Sequence, residues 1–380
     1  MQIPKLRFKE FNDDWKEKKL NNFLTESQIK GTNGKTAKKL SVKLWAKGVV
    51  EKKEILEGSM ETQYYTRHSG QLIYGKLDFL NCAFGIIPKE LDGYQSTADV
   101  PAFDIKNINS KFLLNKIIQK NFYQKYGDIA DGTRKAKRIH TDTFLNMSIY
   151  LPSLEEQTKI ANFLSLIDRK IELQEKLVEN LKLYKKGLLQ KVFSNNHGWK
   201  KVKIGSCITQ ISNRNKNNID YDVLSVSNLK GFIKQTEQFN DRELASENKS
   251  NYKVVDKYEF AYNPARINVG SIAMLEKFNC GIVSPMYVCF KCNNIYHSFL
   301  KYFFLTNEFK NQMKMRLEGS VRMCLSYEAL SNINIKIPSI EEQNRIANLF
   351  SNLDKKMDFE TKKLQDLKTY KKGLLQKMFL

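Results

Sequence analysis

The sequence is poor in the residues that many enzymes and secreted scaffolds use for catalysis and cross-linking. Histidine occurs only 4 times in 380 residues, which leaves little material for a histidine-based metal site or catalytic triad. No run of about 18 apolar residues is present, so a membrane-spanning helix is not expected. The first residues, 1–7, form no apolar core, so no signal peptide is expected either.

Cysteine is also used sparingly, and its spacing excludes a disulfide scaffold. Free thiols in a reducing cytoplasm are therefore expected, which makes the cytoplasm the predicted location. Cys289 and Cys292 form a lone CxxC, and a structural zinc site needs four ligands, so no metal is predicted. The six cysteines are Cys82, Cys207, Cys280, Cys289, Cys292 and Cys324.

Positive charge, in contrast, is abundant. The chain carries 63 Lys and Arg against 41 Asp and Glu, a formal net charge of +22. Because 41% of the residues are hydrophobic, the chain has enough material for packed cores and is not expected to be a disordered basic tail. The excess charge favours a polyanionic partner, DNA or RNA before an anionic membrane surface. A lysine-rich surface that serves only solubility is the alternative.

The chain is built twice. Residues 152–193 and 338–379 align without gaps, and 23 of the 42 positions are identical. A weaker echo relates Trp15–Leu20 to Trp199–Ile204. The order is therefore a variable segment (1–151), a repeat (152–193), a second variable segment (194–337) and a second repeat (338–380).

Each repeat is predicted to be one long helix. Ser153 and Ser339 follow a proline and precede Glu156 and Glu342 by three positions, which is the pattern of a capping box. Apolar residues then recur with alternating spacings of four and three, and such long stripes are best buried if the two helices pack on each other. The stripe positions are Ile160, Leu164, Ile167, Ile171, Gln174, Val178, Leu181, Lys185, Leu188 and Val192, then Ile346, Phe350, Leu353, Met357, Glu360, Leu364, Leu367, Lys371, Leu374 and Met378.

Both helices end in the same lysine-rich sequence, with Lys185-Lys186 in the first and Lys371-Lys372 in the second. Cations in the last turns of a helix are stabilised by the negative end of its dipole. We interpret these lysines in that local role rather than as DNA contacts.

The variable segments are predicted to be α+β domains. Short β-like runs such as Leu72–Tyr74 and Phe260–Tyr262 are broken by Gly, Asn and Asp, and single helical stretches are predicted over 110–125 and 298–317. Counted over 1–152 and 194–338 the segments carry net charges of +9 and +8, whereas the helices carry +2 and +3. Two basic domains joined by helical spacers are suited to contacting a polyanion at two places.

The arrangement resembles the specificity (S) subunit of type I restriction–modification enzymes. The resemblance is carried by the P-S-x-E-E-Q-x-x-I-A start and the K-K-G-L-L-Q-K-x-F end of both helices, and by the tryptophan that opens each variable segment. The second segment adds motifs of this family's target-recognition domains, around Phe260–Arg266, Gly270–Ile272 and Gly319–Arg322. The first segment is less typical.

The resemblance implies two α+β target-recognition domains, each reading one half of a bipartite, asymmetric double-stranded DNA target. It implies that the two helices pair as an antiparallel coiled coil with pseudo-two-fold symmetry, set the spacing and dock two methyltransferase subunits. The chain itself would have no catalytic residue, cofactor, metal or membrane contact. S-adenosylmethionine would be used by the methyltransferase subunits, and ATP and Mg by restriction subunits of the full complex.

DNA contacts are predicted in loop clusters, because phosphates are bound by Lys and Arg and base edges by forked groups such as Arg and Asn. Arg266 and Arg322 rank highest, since they lie in the motifs that match the family. The first domain contributes Lys35, Lys38, Tyr74, Lys76, Arg134, Lys135, Lys137 and Arg138, and the second contributes Asn213, Arg214, Asn215, Lys216, Tyr262, Arg266, Asn268, Ser320 and Arg322.

Other readings of the sequence remain open. Gly31–Thr36 lacks the first glycine of a P-loop, and Asn263–Arg266 lacks the second proline and the aromatic ring of an adenine methyltransferase motif. Asp99, Asp104 and Lys106 resemble a nuclease set that arises readily by chance in so lysine-rich a chain. A single-chain DNA methyltransferase or nuclease is the alternative function, and an RNA-binding or coiled-coil adaptor is a third.

Overall fold

The computed structural model describes residues 3–53, 58–126, 138–228, 230–238, 248–319 and 323–379. The chain forms two compact units. The first consists of Met1–Glu175 with Lys362–Leu380, and the second is Lys176–Thr361. Each unit therefore combines one variable segment with part of both long helices, a division that differs from the order of segments along the sequence.

In the first unit a two-stranded pair, a four-stranded sheet and several small helices contribute to the main apolar core, and a second, smaller core contains Ile73 and Ala102 of the same sheet. The elements are β1 (Lys16–Lys19), β2 (Leu24–Ser27), β3 (Lys30–Asn33), β4 (Leu40–Val42), β5 (Val49–Glu51), β6 (Gln63–Thr66), β7 (Leu72–Tyr74), β8 (Phe84–Ile86), β9 (Gln95–Ser96), β10 (Ala102–Ile105), α1 (Ser110–Ile117), α2 (Lys120–Lys125), α3 (Thr141–Leu145) and β11 (Ser148–Leu151), followed by α4 (Leu154–Ser194), which continues into the second unit.

The second unit has a similar order among its described residues, with nine strands instead of ten before its paired helices and a short helix among those strands. Its elements are β12 (Lys200–Lys203), β13 (Ile208–Ile211), β14 (Leu224–Ser227), β15 (Gly231–Lys234), α5 (Gln235–Gln238), β16 (Lys253–Asp256), β17 (Phe260–Tyr262), β18 (Ile272–Met274), β19 (Cys280–Val283), β20 (Val288–Cys292), α6 (His297–Phe303), α7 (Asn307–Lys314), α8 (Tyr327–Ser331) and β21 (Asn334–Ile337), followed by α9 (Ile340–Met378), which ends in the first unit.

The sheets show that the two variable segments share one fold. The main sheets have the equivalent orders β2-β10-β7-β8 and β13-β20-β17-β18, and each unit adds a two-stranded pair, β1-β11 or β12-β21. The strand pairing is antiparallel throughout these sheets. The predicted α+β class is confirmed, and the weak echo at Trp15 and Trp199 marks the residue before the first strand of each unit.

The single helical stretches predicted over 110–125 and 298–317 are wrong in one respect, because each is two helices. The first breaks between α1 and α2 and the second between α6 and α7. At the second break the Thr306 hydroxyl accepts a hydrogen bond from the Phe309 amide, which caps α7 and starts a new helix direction. The periodicity of apolar residues alone does not predict such a break between two consecutive helices.

The helix repeats begin as predicted, but only half of the capping box forms. The Ser153 and Ser339 hydroxyls accept hydrogen bonds from the amides of Glu156 and Glu342. The carboxylate of Glu156 does not return to the cap; it forms a two-pronged ion pair with Arg7, with both distances at 2.8 Å and the two side chains 10% and 1% exposed. This pair holds the N-terminal segment against α4, and it raises the pKa of Arg7.

The glutamine that follows the two glutamates in each repeat has a role that the sequence did not indicate. Gln157 donates to the Pro152 carbonyl and accepts from the Asn109 amide at 3.1 Å. Gln343 donates to the Pro338 carbonyl and accepts from the Tyr296 amide at 2.8 Å. Asn109 and Tyr296 are the residues that start α1 and α6, so each buried glutamine joins a long helix to the first domain helix of its unit.

The predicted apolar stripe is the surface on which the long helices pack. Every one of its twenty positions is buried or half-buried. In the first unit Ile160 and Leu164 of α4 share a core with Leu374 and Met378 of α9. In the second unit the far end of α4 shares a core with the start of α9 through Leu189, Phe193, Ile346 and Phe350. The two helices therefore run antiparallel within each unit, as the family resemblance implied.

The lysines on the stripe form ion pairs between the helices, which corrects their interpretation as helix-end lysines only. Lys371 of α9 bonds to Asp168 of α4 in the first unit. Lys185 of α4 bonds to Asp354 of α9 in the second unit, where Tyr302 also donates to Asp354 at 2.9 Å. The two pairs are equivalent under the sequence repeat, so the same contact fixes the antiparallel register in both units.

Within the described ranges, no helix has both the length and the apolar character needed to cross a membrane.

We predict that reversing the charge of Asp354 destabilises the protein more than reversing that of Asp168. Asp354→Lys places two cations together and removes the acceptor of Tyr302, at a side chain 30% exposed against 50% for Asp168. The expected loss in the free energy of unfolding is roughly 1–3 kcal/mol for Asp354→Lys and about 1 kcal/mol or less for Asp168→Lys.

Chemical denaturation of the full chain measures the free energy of unfolding of both variants. The double variant Asp354→Lys/Lys185→Asp, in which the two charges are exchanged, should recover part of the stability that Asp354→Lys loses. A double variant no more stable than the single one would show that the two side chains are not coupled.

Candidate nucleic-acid interface

The two tyrosines predicted as DNA contacts are core residues, and this prediction is corrected. Tyr74 and Tyr262 are fully buried on the equivalent strands β7 and β17. Their hydroxyls donate to the carbonyls of Ile139 at 2.9 Å and Leu325 at 3.2 Å, just before α3 and α8. Burial raises the pKa of both phenols well above its ordinary value. Both tyrosines therefore support the fold of their domain rather than form its outer surface.

Asn215 is also a structural residue, so its assignment as a DNA contact is wrong. Its side chain is 3% exposed, donates to the Ile219 carbonyl at 2.8 Å and accepts from the Ile219 amide at 2.9 Å. These two bonds close the loop that follows β13. Its neighbours Asn213, Arg214 and Lys216 are exposed, and Arg214 donates to the Asn251 side chain at 3.1 Å.

In the first unit those predicted basic residues that the structure describes lie in two turns. Lys35 and Lys38 are exposed in the turn after β3, where the Asn33 side chain accepts from the Lys35 and Thr36 amides. A strand followed by this turn is not the strand–loop–helix of a phosphate-binding loop, which agrees with the rejection of a P-loop.

The second turn brings Lys76 close to Arg138. The Lys76 amide donates to the Asp99 carbonyl at 2.9 Å, the Ile139 amide donates to the Lys76 carbonyl at 3.2 Å, and the Arg138 guanidinium lies 3.7 Å from the Asp99 carboxylate. Asp99 therefore orients the arginine here. The guanidinium side chain stays 46% exposed, so it can also face a phosphate.

Five of the predicted contacts lie outside the described residues: Arg134, Lys135, Lys137, Ser320 and Arg322. The flanking positions are equivalent in the two units, between α2 and α3 in the first and between α7 and α8 in the second. These assignments stay predictions.

Arg266 and Asn268 lie on one exposed turn between β17 and β18. The Arg266 amide donates to the Asn263 carbonyl at 3.0 Å, and the Ser271 amide donates to the Arg266 carbonyl at 3.1 Å, which closes the turn at both ends. Gly270 has φ +96°, and an added Cβ would lie 3.6 Å from that of Asn228. The backbone is fixed while both side chains point to solvent, as a base-reading turn requires.

A concave basic site lies beside this turn and was not foreseen from the sequence. It encloses about 580 Å³, with Asn268 on its rim and Phe260, Phe304 and Phe309 among its apolar lining. Glu276 is the one carboxylate among its described lining residues, and it accepts from Lys301 at 2.6 Å. The lining lysines are Lys230, Lys277, Lys301, Lys310 and Lys314. They are scattered between residues 230 and 314, so no motif could have indicated them.

The two cysteines of the CxxC pack against different apolar cores. Cys289 faces the core that contains Val255 and Tyr287, whereas Cys292 packs against the separate core around Phe290. Burial raises the pKa of both thiols to about 12, which keeps them protonated. Among the described residues, no group of three or more His, Cys, Asp or Glu side chains is placed to hold a metal ion.

Comparison with known proteins agrees with this architecture. The profile of the type I restriction modification DNA specificity domain matches residues 84–183 and again 196–369. The MjaVIII specificity subunit of Methanocaldococcus jannaschii is 25% identical over 261 residues, 61% of each chain, and the putative MjaX specificity subunit of the same organism is 25% identical over 286 residues, 70% of this chain and 65% of that one. The aligned region thus spans somewhat less than two thirds of these relatives.

A solved structure, the type I restriction–modification S subunit from M. genitalium, matches 100% of this chain and 99% of its own with a TM-score of 0.60 at 16% identity. Two α+β units of one topology, completed by a shared pair of antiparallel helices, define a duplicated two-domain scaffold. The chain belongs to the family of the type I restriction modification DNA specificity domain, which it contains in two copies.

We predict that Tyr262 and Arg266 separate stability from DNA affinity. Tyr262→Phe removes one buried hydrogen bond and should lower the free energy of unfolding by roughly 0.5–1.5 kcal/mol without changing DNA affinity. Arg266→Ala changes an exposed side chain and should leave unfolding within about 0.5 kcal/mol while weakening specific DNA binding by about 1–3 kcal/mol.

Thermal unfolding and DNA titration at one salt concentration measure the two effects. Loss of DNA affinity in Tyr262→Phe with unchanged unfolding would reinstate the tyrosine as a contact.

Proposed function

We propose that this protein is the DNA sequence-specificity subunit of a type I restriction–modification complex. Each variable segment reads one half of a bipartite, asymmetric target. The observation that carries the proposal is the duplication itself: two sheets of the same strand order, each tied by an equivalent glutamine and an equivalent Asp–Lys pair to the same two helices.

The charge distribution supports a double contact with DNA. Net charges of +9 and +8 lie on the two variable segments, and the helix repeats are close to balance. Lysine and arginine on the segments give salt-dependent grip on phosphates, and exposed turns such as Arg266–Asn268 read base edges. The helix pair sets the spacing between half-sites, since its length and register are fixed by packing.

The helices also carry equivalent apolar side chains in solvent, which supports docking of two identical partners. In the first unit Leu173 is 57% exposed and Tyr370 56%; in the second, their repeat equivalents Phe359 and Tyr184 are 65% and 59% exposed. We assign these pairs to two methyltransferase subunits, one on each unit, through which restriction subunits join.

The chemistry of the complex then belongs to the partners. The methyltransferase subunits use S-adenosylmethionine and the restriction subunits use ATP and Mg, while this chain binds no cofactor and has no catalytic group. The complex works in the cytoplasm, where resident and incoming DNA meet.

We predict that replacing residues 1–151 by the first variable segment of a relative with another target changes one half-site only. The reason is that each segment has its own core and its own exposed turns. Mapping methylated adenines in cells that carry the hybrid measures the target. Replacement of 194–337 is the matched control and should change the other half, and a hybrid altered in both halves would exclude two independent readers.

We further predict that Leu173→Ser and Phe359→Ser each remove one methyltransferase subunit and that the double variant binds none. Mass measurement of the reconstituted complex gives the stoichiometry, and labelled S-adenosylmethionine gives the methyl transfer. Leu183→Ser is the control, because Leu183 is 59% exposed but Thr369 stands at its repeat position. Methyl transfer by the purified chain alone would favour the alternative of a single-chain methyltransferase.

A further inference from the structure

The turn between β4 and β5, residues 43–48, presents a large aromatic side chain to solvent. Trp45 is 57% exposed and its neighbour Leu44 is 39% exposed. Burying a tryptophan side chain is strongly favourable, and this side chain has most of its surface in water at the tip of a hairpin. A partner that covers the ring would gain that free energy on binding. This residue was not among the contacts predicted from the sequence.

The backbone of this turn is strained and at the same time firmly held. Trp45 and Ala46 both have left-handed conformations, with φ of 60° and 51°, which cost energy for residues other than glycine. The Trp45 amide donates to the Asn81 carbonyl and the Ala46 amide to the Cys82 carbonyl, both at 2.8 Å. Cys82 is itself left-handed, with φ 55°. The turn at Trp45–Ala46 and the turn at Asn81–Cys82 thus stabilise each other through these two hydrogen bonds.

The consequence of these two hydrogen bonds is a fixed direction for the indole ring. Ala46 packs against the core of the first unit, which seats the turn, and the Lys43 amide donates to the Gly48 carbonyl at 2.9 Å, which closes the hairpin. The ring is therefore not on a loose loop that could fold back. Strain that is maintained at an exposed aromatic residue indicates a binding role.

The charges of the hairpin that carries the ring favour a polyanionic ligand. Lys43 and Lys47 flank it, both are exposed, and residues 39–50 contain no carboxylate. An apolar ring between cations matches the chemistry of a nucleobase between phosphates, and nucleobases stack on aromatic rings or are parted by apolar wedges. A lipid surface would be bound by a larger amphipathic face, whereas this hairpin exposes only Leu44 and Trp45 among its large hydrophobic residues.

The second unit lacks this device at the equivalent place. Its hairpin β14–β15 also packs on the sheet edge, with the Gly231 position close to Ala273, as Val49 lies against Gly85 in the first unit. The sequence between its two strands, residues 228–230, holds no aromatic residue, and the basic pocket of about 580 Å³ is lined by Asn228 and Lys230. A tryptophan in this connection is therefore a feature of the first unit.

We propose that Trp45 stacks on one base of the half-site that the first variable segment reads. Lys43 and Lys47 then contact the phosphates next to that base. This inference rests on the proposed DNA-reading function and names a contact within it. The partner is a nucleobase of duplex DNA.

The test uses the full chain reconstituted with its methyltransferase subunits and a target duplex in which 2-aminopurine replaces, one at a time, each adenine on either strand of that half-site and of the base pairs next to it. We expect one position to change its fluorescence on binding and to lose this change in Trp45→Ala. Trp45→Ala should bind the target about 5- to 150-fold more weakly, and Trp45→Phe should recover part of the affinity. Alanine keeps both backbone hydrogen bonds, so the thermal unfolding temperature should not fall.

Met60→Ala is the matched control, because Met60 is another exposed apolar residue of the first unit, 66% exposed, and should change binding less than twofold. Trp45→Ala that binds like the parent protein, with the same fluorescence, would overturn the inference. Loss of methyltransferase association instead of DNA affinity would also overturn it, since the ring would then face a protein. Failure of the parent complex to bind any bipartite target would contradict the proposed function itself, which is a different outcome.

Discussion

The first unit of this protein is completed by a helix segment from the other end of the chain, Lys362–Leu380, and the apolar seam between α4 and α9 is the contact that brings this segment back. The second unit, Lys176–Thr361, is continuous and contains the same seam within itself. Leu374 and Met378 enter the core of the first unit, and Phe350 enters that of the second. Burying such side chains contributes about 1.5–3 kcal/mol each. Without this seam the first unit would lack the part of its core that α9 supplies, and the second would lack the packing of α4 against α9 within it.

The seam is polar at two matched places, and at one of them, Lys185 and Lys371, ion pairs between the helices provide specificity. An apolar stripe with a simple heptad pattern would pack in several registers, and a charged pair that must meet selects one. Asp168–Lys371 and Asp354–Lys185 are the same pair used twice, so a single ancestral helix sequence sets the register in both units. The duplication thus gives both units the same helix packing and the same sheet order, whereas the exposed turns of the two units differ.

The residues that the sequence predicted as DNA contacts fall into two groups, those that are buried in the fold and those that stay exposed. Tyr74, Tyr262 and Asn215 occur in recognisable patterns because the fold needs them, and their polar atoms are already satisfied inside the domain. Arg266 and Asn268 stay at the surface because glycine and a closed turn hold the backbone behind them. A pattern in a sequence does not distinguish these cases, since a tyrosine on a β-like run fits a core and an interface equally well.

The sequence by itself determined the duplication, the helix start, the seam and the division of charge, because these depend on local spacing and on composition. Only the tertiary structure decided which ends meet, why the glutamine after the paired glutamates is needed, and where lysines scattered between residues 230 and 314 converge. It also decided that Trp45 faces solvent, because its exposure follows from a backbone strained and held by carbonyls some 36 residues away, at Asn81 and Cys82. Contacts between distant residues leave no period in the chain, and for that reason they could not be predicted from it.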